Sequence, residues 1–138
     1  MPRAEAIDDG TRDDQSGQYS TALRSLWKRW TAIGTKVVVL ADPPLNVNVR
    51  PVDCVAQNLE SPTVCARPIA EANPPDPLAL AAQDMADPLV ELADLSSFFC
   101  DDELCYAVIG GLLVYYDVNH VNRVFTVGLV PYLEPRFL

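Results

Sequence analysis

Gly34-Thr35-Lys36-Val37-Val38-Val39-Leu40-Ala41-Asp42-Pro43-Pro44 is the stretch on which the fold turns. Its apolar run is β-branched and uninterrupted, the pattern of a strand buried on both faces in a parallel sheet covered by helices. Just upstream, from Tyr19, the residues Leu23, Leu26, Trp27, Trp30 and Ile33 recur at three- and four-residue steps, which predicts one apolar face of a helix. Arg24, Lys28 and Arg29 lie off that stripe, and Gly34 suits the stop. Helix, glycine, then apolar strand is half of a βαβ repeat, so the expected class is α/β.

Downstream the chain changes character. Nine of the 12 prolines lie between Pro43 and Pro88. This reads as a long loop leaving the end of a parallel strand, where α/β proteins build their sites and where it would overhang one. Asp76 to Asp87 predicts a helix, with Asp76 as cap, Pro77 in the first turn and Leu78, Ala81, Ala82 and Met85 on one face. Leu89 to Ala93 alternates weakly and suits a second strand. Cys105 to Ile109, Gly110-Gly111 and Leu112 to Tyr116 read as a tight hairpin, because the glycine pair supplies the positive φ that such a turn needs. Asn122 onward, through Val124, Phe125, Val127, Gly128, Leu129 and Leu133, predicts a closing helix disturbed near Pro131.

A length of 138 residues suits one domain, with residues 1–17 a disordered leader and 18–138 the folded part. The net charge of −9 argues against nucleic acid or an anionic membrane surface as partner. No apolar run approaches the length needed to cross a bilayer. Met1 to Gly17 also lacks the basic-then-apolar order of a secretion signal.

The four cysteines point the other way. Cys54 with Cys65, and Cys100 with Cys105, are loop-closing pairs local in sequence, as in disulfides of an oxidising compartment. A single zinc site and inert thiols are the alternatives; the ten-residue gap between Cys54 and Cys65 is wide for a zinc knuckle. Disulfides without an export signal imply elements upstream of this sequence.

His120, the sole histidine, stands three residues after Asp117 at the end of the last apolar run. A general base needs a pKa near working pH and a partner to orient its ring, which a nearby carboxylate supplies. The plainer reading is that Asp117 and His120 cap and start the closing helix.

Taken together, the strand ending in Pro-Pro, the local Cys…Cys loop, Leu92-Ala93-Asp94-Leu95, Phe99-Cys100-x4-Cys105 and the hairpin into Tyr115-Tyr116-Asp117-x-x-His120 carry a resemblance. The order is similar to the C-terminal part of the SGNH hydrolase domain attached to bacterial membrane acyltransferases of the acyltransferase-3 type. The resemblance spans about Tyr19 to Leu133. It implies a partial flavodoxin-like three-layer α/β/α sandwich of the SGNH hydrolase type. It also implies a Ser-His-Asp triad in which Asp117 orients His120 and His120 is the general base. The partners it implies are an acyl donor and a cell-envelope glycan acceptor, in an extracytoplasmic setting and with no cofactor.

The family's Gly-Asp-Ser nucleophile motif is missing from the sequence, as are the later glycine and asparagine blocks that form its oxyanion hole. Ser16, Ser20, Ser25, Ser61, Ser96 and Ser97 stand in other contexts, and Val121 replaces the usual leucine after the histidine. The chain therefore reads as the acid/base-bearing half of an acyltransferase or esterase domain, inactive alone. Self-association through an exposed sheet edge is expected. The alternative is a non-catalytic, disulfide-braced extracytoplasmic module that binds glycan or a partner protein.

Overall fold

The helix expected from Tyr19 forms as Gln15–Thr31 (α1) in the computed structural model of the chain, which describes residues 15–44 and 51–137. The leader assigned to residues 1–17 thus lies mostly outside the described residues. The chain divides into two units: residues 1–40 with 75–92, and 41–74 with 93–138.

In the first unit α1 ends before Gly34, and Val37–Leu40 (β1) follows. Pro77–Gln83 (α4) starts as the sequence predicts, with Pro77 in its first turn and Asp76 Oδ1 accepting the Leu78 N–H at 2.8 Å. Val90–Ala93 (β3) pairs with β1 in a two-stranded sheet. Val37 N–H donates to Leu89 O at 2.7 Å and Ala41 N–H to Ala93 O at 3.0 Å, so both strands advance in the same sense and the pair is parallel. Trp27, Val37, Val39, Ala81, Ala82 and Met85 form the core, with Leu23, Leu78, Val90 and Leu92 packed against it.

Two expectations need correction here. Val38 is half-buried and Leu40 exposed, so β1 is covered on one face rather than two. On α1 only the Leu23–Trp27 line is covered, while Leu26 and Trp30, and Ile33 in the turn beyond the helix, are exposed. For α1 the cause is its partner: it packs chiefly against α4, and at seven residues that helix is too short to cover the whole apolar stripe.

The second unit opens with the proline-rich segment. It is not one long loop but a series of short elements: Pro51–Gln57 (α2), a 3₁₀ turn Pro62–Cys65, Arg67–Pro68 (β2) and Ile69–Ala72 (α3). Pro51 and Pro62 stand in the first turns of α2 and of the 3₁₀ turn, where a missing N–H costs nothing and a fixed φ suits the helix. Residues 45–50 lie outside the described residues. β2 pairs antiparallel with Leu104–Cys105 (β4), Arg67 opposite Cys105, and Ile69 N–H donates to Glu103 O at 2.9 Å. These contacts tie the segment to β4. Among the described residues no hydrogen bond joins it to the Asp117–His120 loop.

Both cysteine pairs are disulfides, Cys54–Cys65 and Cys100–Cys105, leaving no thiolate for zinc. Asp101 shapes the second loop by accepting the Glu103 N–H at 2.9 Å, the Leu104 N–H at 2.7 Å and the Tyr106 hydroxyl. The Tyr106 hydroxyl is the main cause holding the Asp101 carboxyl below its usual range. Cross-linking residues 11 positions apart removes denatured-state loop entropy worth about 3 kcal/mol. The double variant Cys54→Ser/Cys65→Ser is therefore expected to lose about that much in denaturant unfolding; a loss within 0.5 kcal/mol (roughly, the range for neutral surface changes) would mean the bridge is incidental.

Val108–Ile109 (β5) and Leu112–Leu113 (β6) make the expected hairpin, Val108 opposite Leu113 and Ile109 opposite Leu112. Gly110 and Gly111 take φ of 57° and 77°, the left-handed values a two-residue turn requires. The closing helix is Arg123–Phe137 (α5), which continues through Pro131 and Pro135. Leu95, Phe99, Val114, Tyr115, Phe125 and Leu129 form the second unit's core, with Leu133 packed on it, so α5 presents a line of three residues at four-residue steps, Phe125, Leu129 and Leu133.

The described residues are thus a mixed α/β chain with three separate two-stranded sheets. One sheet layered between helices, the three-layer sandwich expected from the resemblance, is not assembled by these strands.

Candidate functional site

Between the hairpin and α5 the chain closes a small loop on itself. Tyr115 bridges Val121 in antiparallel fashion, Tyr116 N–H donates to His120 O at 2.8 Å, and Asn122 N–H donates to Val114 O at 2.7 Å. Val114 and Tyr115 are buried and Val121 packs on the same cluster, so both stems of the loop are fixed in the core. Burial in turn pushes the Tyr115 phenol well above its usual value, and it stays neutral.

Asp117 turns the chain at the loop's tip. Its Oδ1 accepts the Asn119 N–H at 3.0 Å and the His120 N–H at 2.8 Å. An aspartate bonding the backbone two and three residues on is the usual driver of such turns. The same carboxylate meets the imidazole: His120 Nδ1 lies 2.9 Å from Asp117 Oδ1 and 2.8 Å from Oδ2. An acceptor-only carboxylate makes Nδ1 the protonated nitrogen, which leaves the Nε2 lone pair as the acceptor. Nε2 makes no hydrogen bond to a described residue, and the His120 side chain is 70% exposed against 31% for Asp117.

The plainer reading, in which Asp117 and His120 cap the closing helix, does not hold. Asn122 does that work: its Oδ1 accepts the Val124 N–H at 2.9 Å and its carbonyl the Thr126 N–H at 2.9 Å. The sequence signal for this was present, an Asn just before a run with helical spacing. Asp117 is thereby free to hold the imidazole. Of the named site residues, Asp117 and His120 are brought together. Cys100 packs on the core under the loop, and Cys54–Cys65 belongs to the proline-rich segment.

A family model described as the SGNH domain (fused to AT3 domains) matches residues 2–135. The chain belongs to this SGNH domain family. No curated protein and no solved structure gives a match. In the Asp117–His120 contact a carboxylate lies on Nδ1 of an exposed imidazole whose Nε2 has no hydrogen-bond partner among the described residues. Among the described residues no serine hydroxyl hydrogen-bonds His120, and no three His, Cys, Asp or Glu side chains cluster as metal ligands would.

The electrostatics of the pair are testable. The Asn119 N–H, more than the imidazole, holds the Asp117 carboxyl below its usual range. A depressed folded-state pKa adds stability above the unfolded carboxylate value, and that stability is lost as pH falls through the lower folded value. The denaturant midpoint gap between the native chain and Asp117→Asn should therefore be widest near neutrality and close in acid. A gap that does not change with pH would show that the charge is irrelevant to the loop. The effect should be small, because the carboxylate is only half-buried.

Proposed function

We propose that this SGNH domain carries the acid and base of an acyl-transfer or ester-hydrolysis site acting on O-acyl groups of cell-envelope glycans, with the serine nucleophile supplied from outside the chain. The observation that carries this reading is Nδ1 of His120 seated on Asp117 with Nε2 open to an approaching hydroxyl. Asp117 fixes the tautomer and offsets the charge of the imidazolium; His120 takes the serine proton and returns it to the leaving oxygen. An oxyanion hole, usually the largest electrostatic element of such a site, would come with the nucleophile.

The β1–β3 pair is then the part of a flavodoxin-like sheet that this chain supplies, and its edges, unpaired among the described residues, are where further strands, or a second copy, would add. The two disulfides support an oxidising, extracytoplasmic location. No described helix is long and apolar enough to cross a membrane.

A second reading, a non-catalytic module binding glycan or protein, draws on the lack of a Gly-Asp-Ser motif. A serine-reactive fluorophosphonate probe separates the readings. The chain alone should not label. A co-expressed, Gly-Asp-Ser-bearing portion of an SGNH domain should label in its presence. Stoichiometric labelling of this chain alone would overturn the divided site, and no labelling of any combination would favour the binding module.

A further inference from the structure

Tyr116 shares the loop with the dyad, and the acid–base scheme leaves it unused. Its backbone N–H donates to the His120 carbonyl at 2.8 Å, one step beyond the Tyr115–Val121 bridge. In this register Tyr116 and His120 stand opposite each other, with side chains on the same face of the ribbon and Cβ atoms about 5 Å apart. Tyr115 and Val121, one residue back on each strand, point into the core instead. Tyr116 is 71% exposed, and its hydroxyl has no hydrogen bond to a described residue. An exposed phenol ring and an exposed imidazole therefore leave the ribbon on one face, within reach of a single ligand.

We propose that Tyr116 is a binding platform for a neutral sugar ring, which it stacks so that a ring hydroxyl, or the oxygen bearing its acyl group, sits at His120 Nε2. A phenol offers an apolar face for the C–H side of a pyranose and a polar tip for its hydroxyls. The surroundings choose between a sugar and an acyl chain. Asp117, Asn119 and His120 of the same loop are polar and partly or fully exposed, and Val118 is the one other apolar residue there, which suits a hydroxyl-rich ligand better than an acyl chain. The net charge of −9 and the adjacent Asp117 carboxylate select against anionic sugars. Tyr116 is thus a positioning residue for the substrate, while His120 keeps the chemistry. The inference rests on the acid–base reading of Asp117 and His120 for which oxygen is presented, but binding itself needs no nucleophile.

The test is NMR titration of the whole chain with cellobiose, maltose, chitobiose and mannobiose, following the His120 and Tyr116 ring signals. Butyrate and glucuronate serve as acyl and anionic controls. At least one neutral disaccharide should shift both rings saturably. Tyr116→Phe should keep that binding, Tyr116→Ala should weaken it about tenfold, and Tyr116→Leu, which retains bulk without a ring, should weaken it alike. The thermal midpoint should not move in any variant, as expected at an exposed position. No saturable shift with any of the four sugars would overturn the proposal. So would unchanged binding by Tyr116→Ala, or tighter binding of butyrate or glucuronate. Failure here with His120-dependent fluorophosphonate labelling intact would remove the platform and leave the divided site standing. Sugar binding without labelling would do the reverse.

Discussion

In a site completed by a nucleophile-bearing chain, His120→Ala is expected to slow fluorophosphonate labelling of the serine by about 10⁴-fold. A serine hydroxyl is a weak nucleophile until a neighbouring base takes its proton, and no other histidine exists in this chain to substitute. The ring is 70% exposed, so its loss should leave stability within about 0.5 kcal/mol of the native chain. Rate and fold are thereby separated in one variant.

Asp117→Asn probes the other half of the dyad. The asparagine keeps an oxygen for the Asn119 and His120 N–H groups, so the loop should still form. What it loses is the anion that fixes Nδ1 as the protonated nitrogen, and the expected fall is again about 10⁴-fold. A fall smaller than about tenfold in both variants would remove His120 from the chemistry.

How much of this was legible in the residues depends on how local each cause is. The Gly110-Gly111 turn, the Asp76 cap and both disulfides follow from neighbours a few positions apart, and each was readable. The Asp117–His120 contact was readable for the same reason, being three residues long. What could not be read was coverage. Trp27 and Trp30 look alike on the α1 stripe, yet one is buried and the other exposed, because α4 and β1 together cover only part of the stripe. The proline-rich segment misled through its composition: prolines break a helix inside but start one in its first turn, and only the backbone shows which applies. The cap at Asn122 is as local as that at Asp76, but Asp117 and His120 compete for the same role on sequence alone.

Phe99 ties together the second unit's core, and Phe99→Ala is expected to cost about 3–5 kcal/mol, a large share of what a domain of this size has to lose. Phe99 is 2% exposed, one of the largest fully buried side chains. Its ring lies 6.3 Å from Tyr115 and meets Phe125 edge-on at 5.2 Å, centroid to centroid. Such aromatic pairs add about 1 kcal/mol beyond area burial. Tyr115 is the last buried residue before the Asp117–His120 loop, and Phe125 lies in the first turn of the helix that follows it. Removing the ring should therefore loosen both stems of the loop together. Phe99→Leu, which keeps most of the volume but not the edge-on contact, should cost less. The check is chemical unfolding of both variants beside the native chain, with the His120 ring signal recorded in the folded baseline. If Phe99→Ala lost less than about 1 kcal/mol, the second core would be organised around something else. If it lost the full amount while the His120 signal stayed sharp and unshifted, the loop would owe its geometry to Asp117 alone.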